Sequence, residues 1–412
     1  AIQCKKGLNY VANHNEQASS ISAEAYSRVT ENIGVAVVTT GPGSTNAITG
    51  VTGAWIESVP LMIISGQVKR SDLKNKSGVR QMGPQEVDIV SIVKPITKYA
   101  TTIKNPKNIR LELEKAYYKA TTGRKGPVWI DIPLDIQAAP IEPTKLTGLK
   151  KLSSKKKSVK FFNKYDEIIT LINSSKRPII LAGHGIRLSK ASKDFTKLCK
   201  ILKIPVVTTW NAMDLLPNSS KFNIGKPGTV ALRAPNFAIQ NSDLLISIGA
   251  RLDNVVTAYN PQNFAKNAKK IIVDIDLNEL NKFTMKIDLK VNLDAKLFIE
   301  KLNNEAIKNK INSFPNWLKK CNSWKKRYTI NDGKNFSKGK GISHLKLVDF
   351  FSDSLPKNSL IVTGSSGLAI ESFYMAFRNK PGQRIFLTSG LGAMGYGLPA
   401  LIGALNSNRY KE

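Results

Sequence analysis

Short apolar runs alternate along this chain with stretches of helical periodicity, and they fall into three blocks. In the first, VAVVTT (35–40), LMIIS (61–65) and VWIDI (128–132) read as buried strands. A helix follows the GPGSTN loop to about Glu57, and another spans Arg110 to Thr121. Pro140 and Pro143 close this block. The stretch from Lys145 to Lys164, with eight Lys and no acid, reads as a linker. The second block opens near Asp166, with strands predicted at RPIILAG (177–183), IPVVTT (204–209), DLLISIG (243–249) and KIIVDID (270–276). Its edge lies between Lys301 and Asn331, where the amphipathic FPNWLKKCNSWKKRY leads into the loop-like NDGKNFSKGKG. The third block begins with a helix over Ser343–Ser354, then NSLIVTG (358–364), another helix, and RIFLTSGLGAMGYGLPALIGAL. Apolar strands alternating with helices predict an α/β fold with parallel sheets, divided into 1–140, a linker 141–165, 166–330 and 331–412.

Composition narrows the function more than the fold. At 412 residues, 42% hydrophobic and 22% charged, the chain is globular and holds roughly two to four domains, so disordered and fibrous classes are excluded. Cys4, Cys199 and Cys321 form no CxxC, which excludes a disulfide framework and a thiolate zinc site and points to a reducing, cytoplasmic setting. His14, His184 and His344 stand at unrelated spacings, and neither a GxSxG elbow nor a phosphate-binding P-loop is present. The net charge of +32 comes from Lys scattered along the chain, without a nucleic-acid-binding pattern; a codon-driven Lys bias accounts for it, and no nucleic-acid partner is expected. Gly390–Leu405 is broken by five Gly and Pro399 and falls short of the ~20 apolar residues of a spanning helix, so no membrane association is expected. The chain opens on AIQCKKGLNY without Met and closes on NSNRYKE after an apolar helix, and both ends read as cut.

Three features carry candidate chemistry. HNEQASSISAEAYSR (14–28) is helix-compatible and puts Glu16 beside a small-residue face; alone, Glu16 reads as a solvated helix acid. In TTGPGSTNAITGVTGAWIESVPLMIISGQV (39–68) a strand ends in Gly41-Pro42-Gly43, and a helix opens at Ser-Thr-Asn46 with backbone N–H groups toward the strand's carboxyl end. Glycine demanded by a tight turn explains this equally well. In LTSGLGAMGYGLPALIGAL (387–405), five glycines, Gly392 and Gly395 among them, flank Met394 and allow close approach of a ligand; a tightly packed core helix is the alternative. Gly183-His184-Gly185 follows a strand but lacks the third Gly of a dinucleotide fingerprint, and a tight turn explains it.

In this order and over nearly the whole chain, the three features resemble thiamine-diphosphate enzymes of the acetolactate synthase type. RQMGPQEVDIVSIVKPITKYA (80–100), GPVWIDIPLDIQ (126–137), RPIILAGHGI (177–186), DLLISIGARLDN (243–254) and IIVDIDLNELNK (271–282) extend the resemblance. It implies three successive doubly wound parallel-sheet domains, the first and third truncated, with thiamine diphosphate and magnesium as cofactors. Glu16 matches the carboxylate that hydrogen-bonds the aminopyrimidine ring nitrogen. Met394 matches the apolar wedge that bends the cofactor. Gly41, Pro42, Gly43 and Asn46 match the cofactor-side loop, with Gly392 and Gly395 flanking the wedge, and Gln85 matches a Gln near the reacting ketoacid.

The middle block resembles the domain that binds FAD in acetolactate synthases and is flavin-free in many relatives, so both states stand open; Gly183, Gly185, Arg251, Asp274 and Asp276 sit where flavin contacts are expected. The resemblance further implies a 2-ketoacid substrate, a homodimer or homotetramer, and a small regulatory subunit.

Two departures stand out. Pro84 precedes Gln85-Glu86 where biosynthetic relatives usually carry Phe. This brings in a branch that delivers the same donor to a keto-sugar nucleotide or an aldehyde. The family's Gly-Asp-Gly metal motif is expected past Glu412, so no metal ligand is assigned in this chain, and a non-catalytic, incomplete form of the fold is the alternative from another class.

Overall fold

The computed structural model describes residues 9–75, 77–150, 162–330, 341–365 and 367–407. Residues 151–161 of the predicted linker, 331–340 of the predicted loop and Cys4 lie outside them. The chain divides into two compact units, 1–154 with 388–411, and 155–387.

The first unit starts with α1 (Glu16–Thr30), whose cap Asn15 accepts the Gln17 N–H at 2.8 Å and satisfies one of the donors a helix start leaves open. Then come β1 (Gly34–Val38), α2 (Pro42–Asn46), α3 (Ile48–Ile56), β2 (Leu61–Gln67), α4 (Ile89–Val93), β3 (Tyr99–Thr102), α5 (Ile109–Thr121), β4 (Val128–Pro133) and α6 (Leu134–Gln137). The four strands form a parallel sheet in the order β1-β2-β4-β3. β2 and β4 are central and read as near-continuous apolar runs, because helices cover both sheet faces. At the edge, β1 alternates buried and exposed residues. Trp129, Leu61 and Ile63 are fully buried on one face, and Ala116 and Ala120 of α5 close on Val128 and Ile130 on the other.

The second unit runs through α7 (Tyr165–Ser174), β5 (Pro178–Ala182), α8 (Gly185–Leu188), α9 (Ser192–Leu202), β6 (Val206–Thr208), β7 (Asn223–Gly225), α10 (Arg233–Gln240) and β8 (Leu244–Ile248). β9 (Lys269–Asp274), α11 (Leu277–Asn281), β10 (Leu289–Asn292), α12 (Ala295–Lys308) and α13 (Pro315–Arg327) follow. Its parallel sheet has the order β10-β9-β8-β5-β6-β7, which reverses direction between β5 and β8. Every residue of β5 and β8 is buried, as a doubly covered sheet requires. Trp317 and Cys321 seat α13 in the same core, where burial pushes the Cys321 thiol up to about 12. α14 (His344–Ser354), β11 (Leu360–Val362), α15 (Gly367–Ala376) and β12 (Arg384–Phe386) add a parallel pair of strands.

The predicted block 331–412 is therefore divided. Its part through Leu387 belongs to the second unit, whereas α16 (Gly397–Leu405) belongs to the first. There Gly403 lies so close to α1 that a Cβ would stand 1.9 Å from the Ser22 carbonyl oxygen, and Ser22 Oγ donates to the Pro399 carbonyl at 2.7 Å. Close packing, the alternative explanation of the glycine-rich segment, accounts for Gly403. Among the described residues no helix is long and apolar enough to cross a membrane.

Candidate functional site

Six of the predicted positions meet at the carboxyl end of the first unit's sheet. α1 presents Glu16 from its first residue, half-buried. The turn after β1 brings Gly41, at φ +59°, into a conformation open chiefly to glycine, and Pro42 then starts α2. Asn46, the last residue of α2, donates through Nδ2 to Glu16 Oε2 at 3.1 Å. A Cβ on Gly43 would stand 2.5 Å from Thr39 Cγ2 and in ordinary contact, 3.5 Å, with Glu16 Oε1, so the turn lies directly against the carboxylate. Gln85, exposed and at φ +65°, reaches the same turn from the loop before α4. A Cβ on Gly41 would meet the Gln85 carbonyl oxygen at 2.8 Å.

Glu86 shapes the loop that carries Gln85. Its buried carboxylate accepts the Lys74 N–H at 2.5 Å and the Met82 N–H at 2.7 Å, while Gln81 Nε2 donates to its carbonyl at 3.0 Å. Behind the turn runs a polar chain through the sheet, Asp131 to Gln67 to Thr40, that sequence reasoning missed. The signal for it was a carboxylate and an amide inside strands that otherwise read as apolar.

Met394 occupies a different part of the same unit. Glu57 Oε1 accepts from Ser389 Oγ at 2.9 Å and from the Gly390 N–H at 2.6 Å. Six residues on, Tyr396 donates from its buried hydroxyl to Glu24 Oε2 at 2.8 Å, and Arg28 Nε donates to Glu24 Oε1 at 2.5 Å. Burial pushes the Glu24 carboxyl above its ordinary value against the pull of Arg28, and pushes the Tyr396 phenol well above its own. Pinned on both sides, the segment presents Met394 83% exposed, with Gly392 and Gly395 at φ +66° and +78° on either side. Met394 takes no part in the contacts around Glu16 described above.

The predicted flavin-contact residues stand at the carboxyl ends of β5, β8 and β9. Each also makes local contacts within the fold. A Cβ on Gly183 would lie 2.1 Å from the Gly249 carbonyl oxygen, and one on Gly185 would lie 2.8 Å from Gly249 Cα. Asp274 accepts the Asp276 N–H at 2.9 Å, and Asp276 caps α11 through the Asn278 N–H. Arg251, at φ +55°, stands 3.5 Å from Asp253. Among the described residues no group of three or more His, Cys, Asp or Glu could hold a metal ion.

A family model described as the thiamine pyrophosphate enzyme N-terminal TPP binding domain matches residues 1–92, and one described as the central domain matches residues 165–302. Thiamine pyrophosphate and thiamine diphosphate are one compound. The chain is 31% identical over 407 residues to the acetolactate synthase large subunit of Lactococcus lactis, covering 98% of this chain and 68% of that protein. It is 33% identical over 411 residues to a probable acetolactate synthase large subunit of Methanocaldococcus jannaschii, with the same coverage. To the Buchnera aphidicola acetolactate synthase large subunit it is 31% identical over 414 residues, covering 98% of this chain and 69% of that protein.

Proposed function

This chain belongs to the thiamine pyrophosphate enzymes, in the acetolactate synthase large-subunit family, and on that premise we propose that it decarboxylates pyruvate and joins the two-carbon unit to a second 2-ketoacid, giving acetolactate. The observation that carries the site assignment is the meeting of Glu16, the Gly41–Asn46 turn and Gln85, from three distant stretches of sequence, at one sheet end. Thiamine diphosphate, when bound, supplies the carbanion chemistry that protein side chains lack.

The residues fit its aminopyrimidine half. Asn46 fixes one oxygen of Glu16, which leaves the other to exchange a proton with a ring nitrogen. Gly43 keeps side-chain bulk away from that carboxylate. Gln85 donates to and orients the ketoacid from the far side of the turn. Met394 would supply apolar bulk against the bound cofactor, and its exposure on a pinned segment supports that role. Magnesium enters this reading only as the companion of the diphosphate; the described residues offer it no ligand set, and no step is derived through it.

FAD belongs to the same proposal, at the switch point between β5 and β8 where open parallel sheets take ligands. Flavin absorbance retained after FAD incubation and desalting supports it, and a colourless protein removes it. A homodimer or homotetramer, a small regulatory subunit and a cytoplasmic location complete the proposal.

The test is NMR product analysis with pyruvate, thiamine diphosphate and magnesium. Acetolactate is the expected product. A product that forms only when an aldehyde or a keto-sugar nucleotide is added overturns the acceptor and makes Pro84 its marker. Unconsumed pyruvate in a cofactor-loaded protein overturns the donor chemistry.

A further inference from the structure

Asp131 sits in mid-sheet, 1% exposed, where a carboxylate is costly unless donors surround it. It is paired in register with Ser65 on β2 and Thr102 on β3. Ser65 Oγ donates to Oδ1 at 2.6 Å; Gln67 Nε2 and Thr102 Oγ1 reach Oδ2 at 3.2 and 3.1 Å. Trp129 Nε1 in turn donates to Ser65 Oγ at 2.8 Å. Burial and the Asp88 charge still push the Asp131 carboxyl above its ordinary value.

Gln67, the last residue of β2, uses its whole amide. Nε2 donates to Asp131 and to the Val87 carbonyl at 2.9 Å; Oε1 accepts the Val68 N–H at 3.0 Å and Thr40 Oγ1 at 3.3 Å. The Thr40 hydroxyl also lies 3.2 Å from the Gln85 carbonyl oxygen, so its one proton is shared between these two acceptors and links the two segments that form the site. The amide has one workable orientation, because a flip would turn its oxygen toward the Asp131 carboxylate and the Val87 carbonyl. Glu86 fixes the internal shape of the Gln85 loop, whereas Gln67 fixes where that loop sits against the Gly41 turn.

We propose that Gln67 is a positioning residue: locked by buried Asp131, it clamps Thr40 on one side and Val87 on the other, and so sets Gln85 against the ketoacid site. This rests on the reading of Gln85 above. The signal is a double-mutant cycle on kcat/KM with amide hydrogen exchange as a second readout. Gln67→Met keeps the bulk and removes the hydrogen bonds. It lowers kcat/KM ~10–100-fold, the scale at which small misplacements act, and speeds exchange at residues 82–87 while leaving β5, β8 and β9 unchanged. Gln85→Ala causes a similar loss, and Q67M/Q85A is no worse than Q85A alone.

Unchanged exchange at 82–87, or additive losses in the double variant, overturns the positioning role. A neutral Q85A with faster exchange in Q67M instead overturns the Gln85 reading and keeps the clamp. Should Q67M fail to fold, Thr40→Val removes only the site-side link and must reproduce the loss, with Thr40→Ser restoring it; equal activity of the two Thr40 variants contradicts the proposal.

Discussion

The two units are built alike, with parallel strands under helices, yet their strand ends do different work. In the second unit Gly183 and Gly185 let two backbone segments touch, and Asp274 and Asp276 bind neighbouring N–H groups. In the first, Gly43 clears the space beside a half-buried carboxylate, and the side chains of Asn46 and Gln85 remain exposed around it. Glycines and carboxylates at strand ends are therefore weak evidence of a ligand by themselves. What marks the first unit is that Asn46 reaches the Glu16 carboxylate from a separate segment while the Gln85 backbone closes on the Gly41 turn beside it.

The sharpest way to break this contrast is Glu16→Gln, which keeps size and removes charge. Turnover should fall ~10³-fold, within the range of general acid–base contributions, with the melting temperature unchanged; undiminished turnover would dismiss Glu16. Gly183→Ala should act in the opposite sense. It forces a Cβ into backbone and destabilises the second unit by about 3 kcal/mol, read by denaturant unfolding; a harmless G183A would show that the close approach to Gly249 does not require glycine. Met394→Ala should slow turnover about tenfold without a change in stability, since its side chain is exposed. An unaltered rate would remove the wedge.

A further contrast between the units is read by pH. Burial and nearby Lys325 push the Lys226 ammonium, which donates to the Phe377 carbonyl, down to about 7. An amine whose folded value lies below its unfolded value binds fewer protons when folded, so stability rises with pH between about 7 and 10.5. Lys226→Met should flatten that rise by about 1 kcal/mol per pH unit. Parallel pH curves for the two proteins would contradict it.

The long apolar strands were legible because a doubly covered sheet demands continuous apolar runs. β3, β7 and β10 were not: YATT is half-buried throughout, NIG is three residues, and LKVN alternates buried and exposed. The placement of α16 was equally hidden, because Gly403 on Ser22 and Tyr396 on Glu24 are pairings more than 370 residues apart in sequence. At the site, Glu16 and Gln85 stood out only through the family resemblance; their residue types are ordinary for a helix start and a loop. The Gln67–Asp131 chain was visible as polar residues in strands, but its partners are set by register, which no local pattern carries.

The central claim is that Glu16 anchors the cofactor site, and exchange of the thiazolium C2 proton of bound thiamine diphosphate for deuterium tests it most directly. The wild-type protein should speed that exchange over free cofactor and E16Q should abolish the gain. Equal acceleration by both proteins, at equal cofactor occupancy, would contradict it.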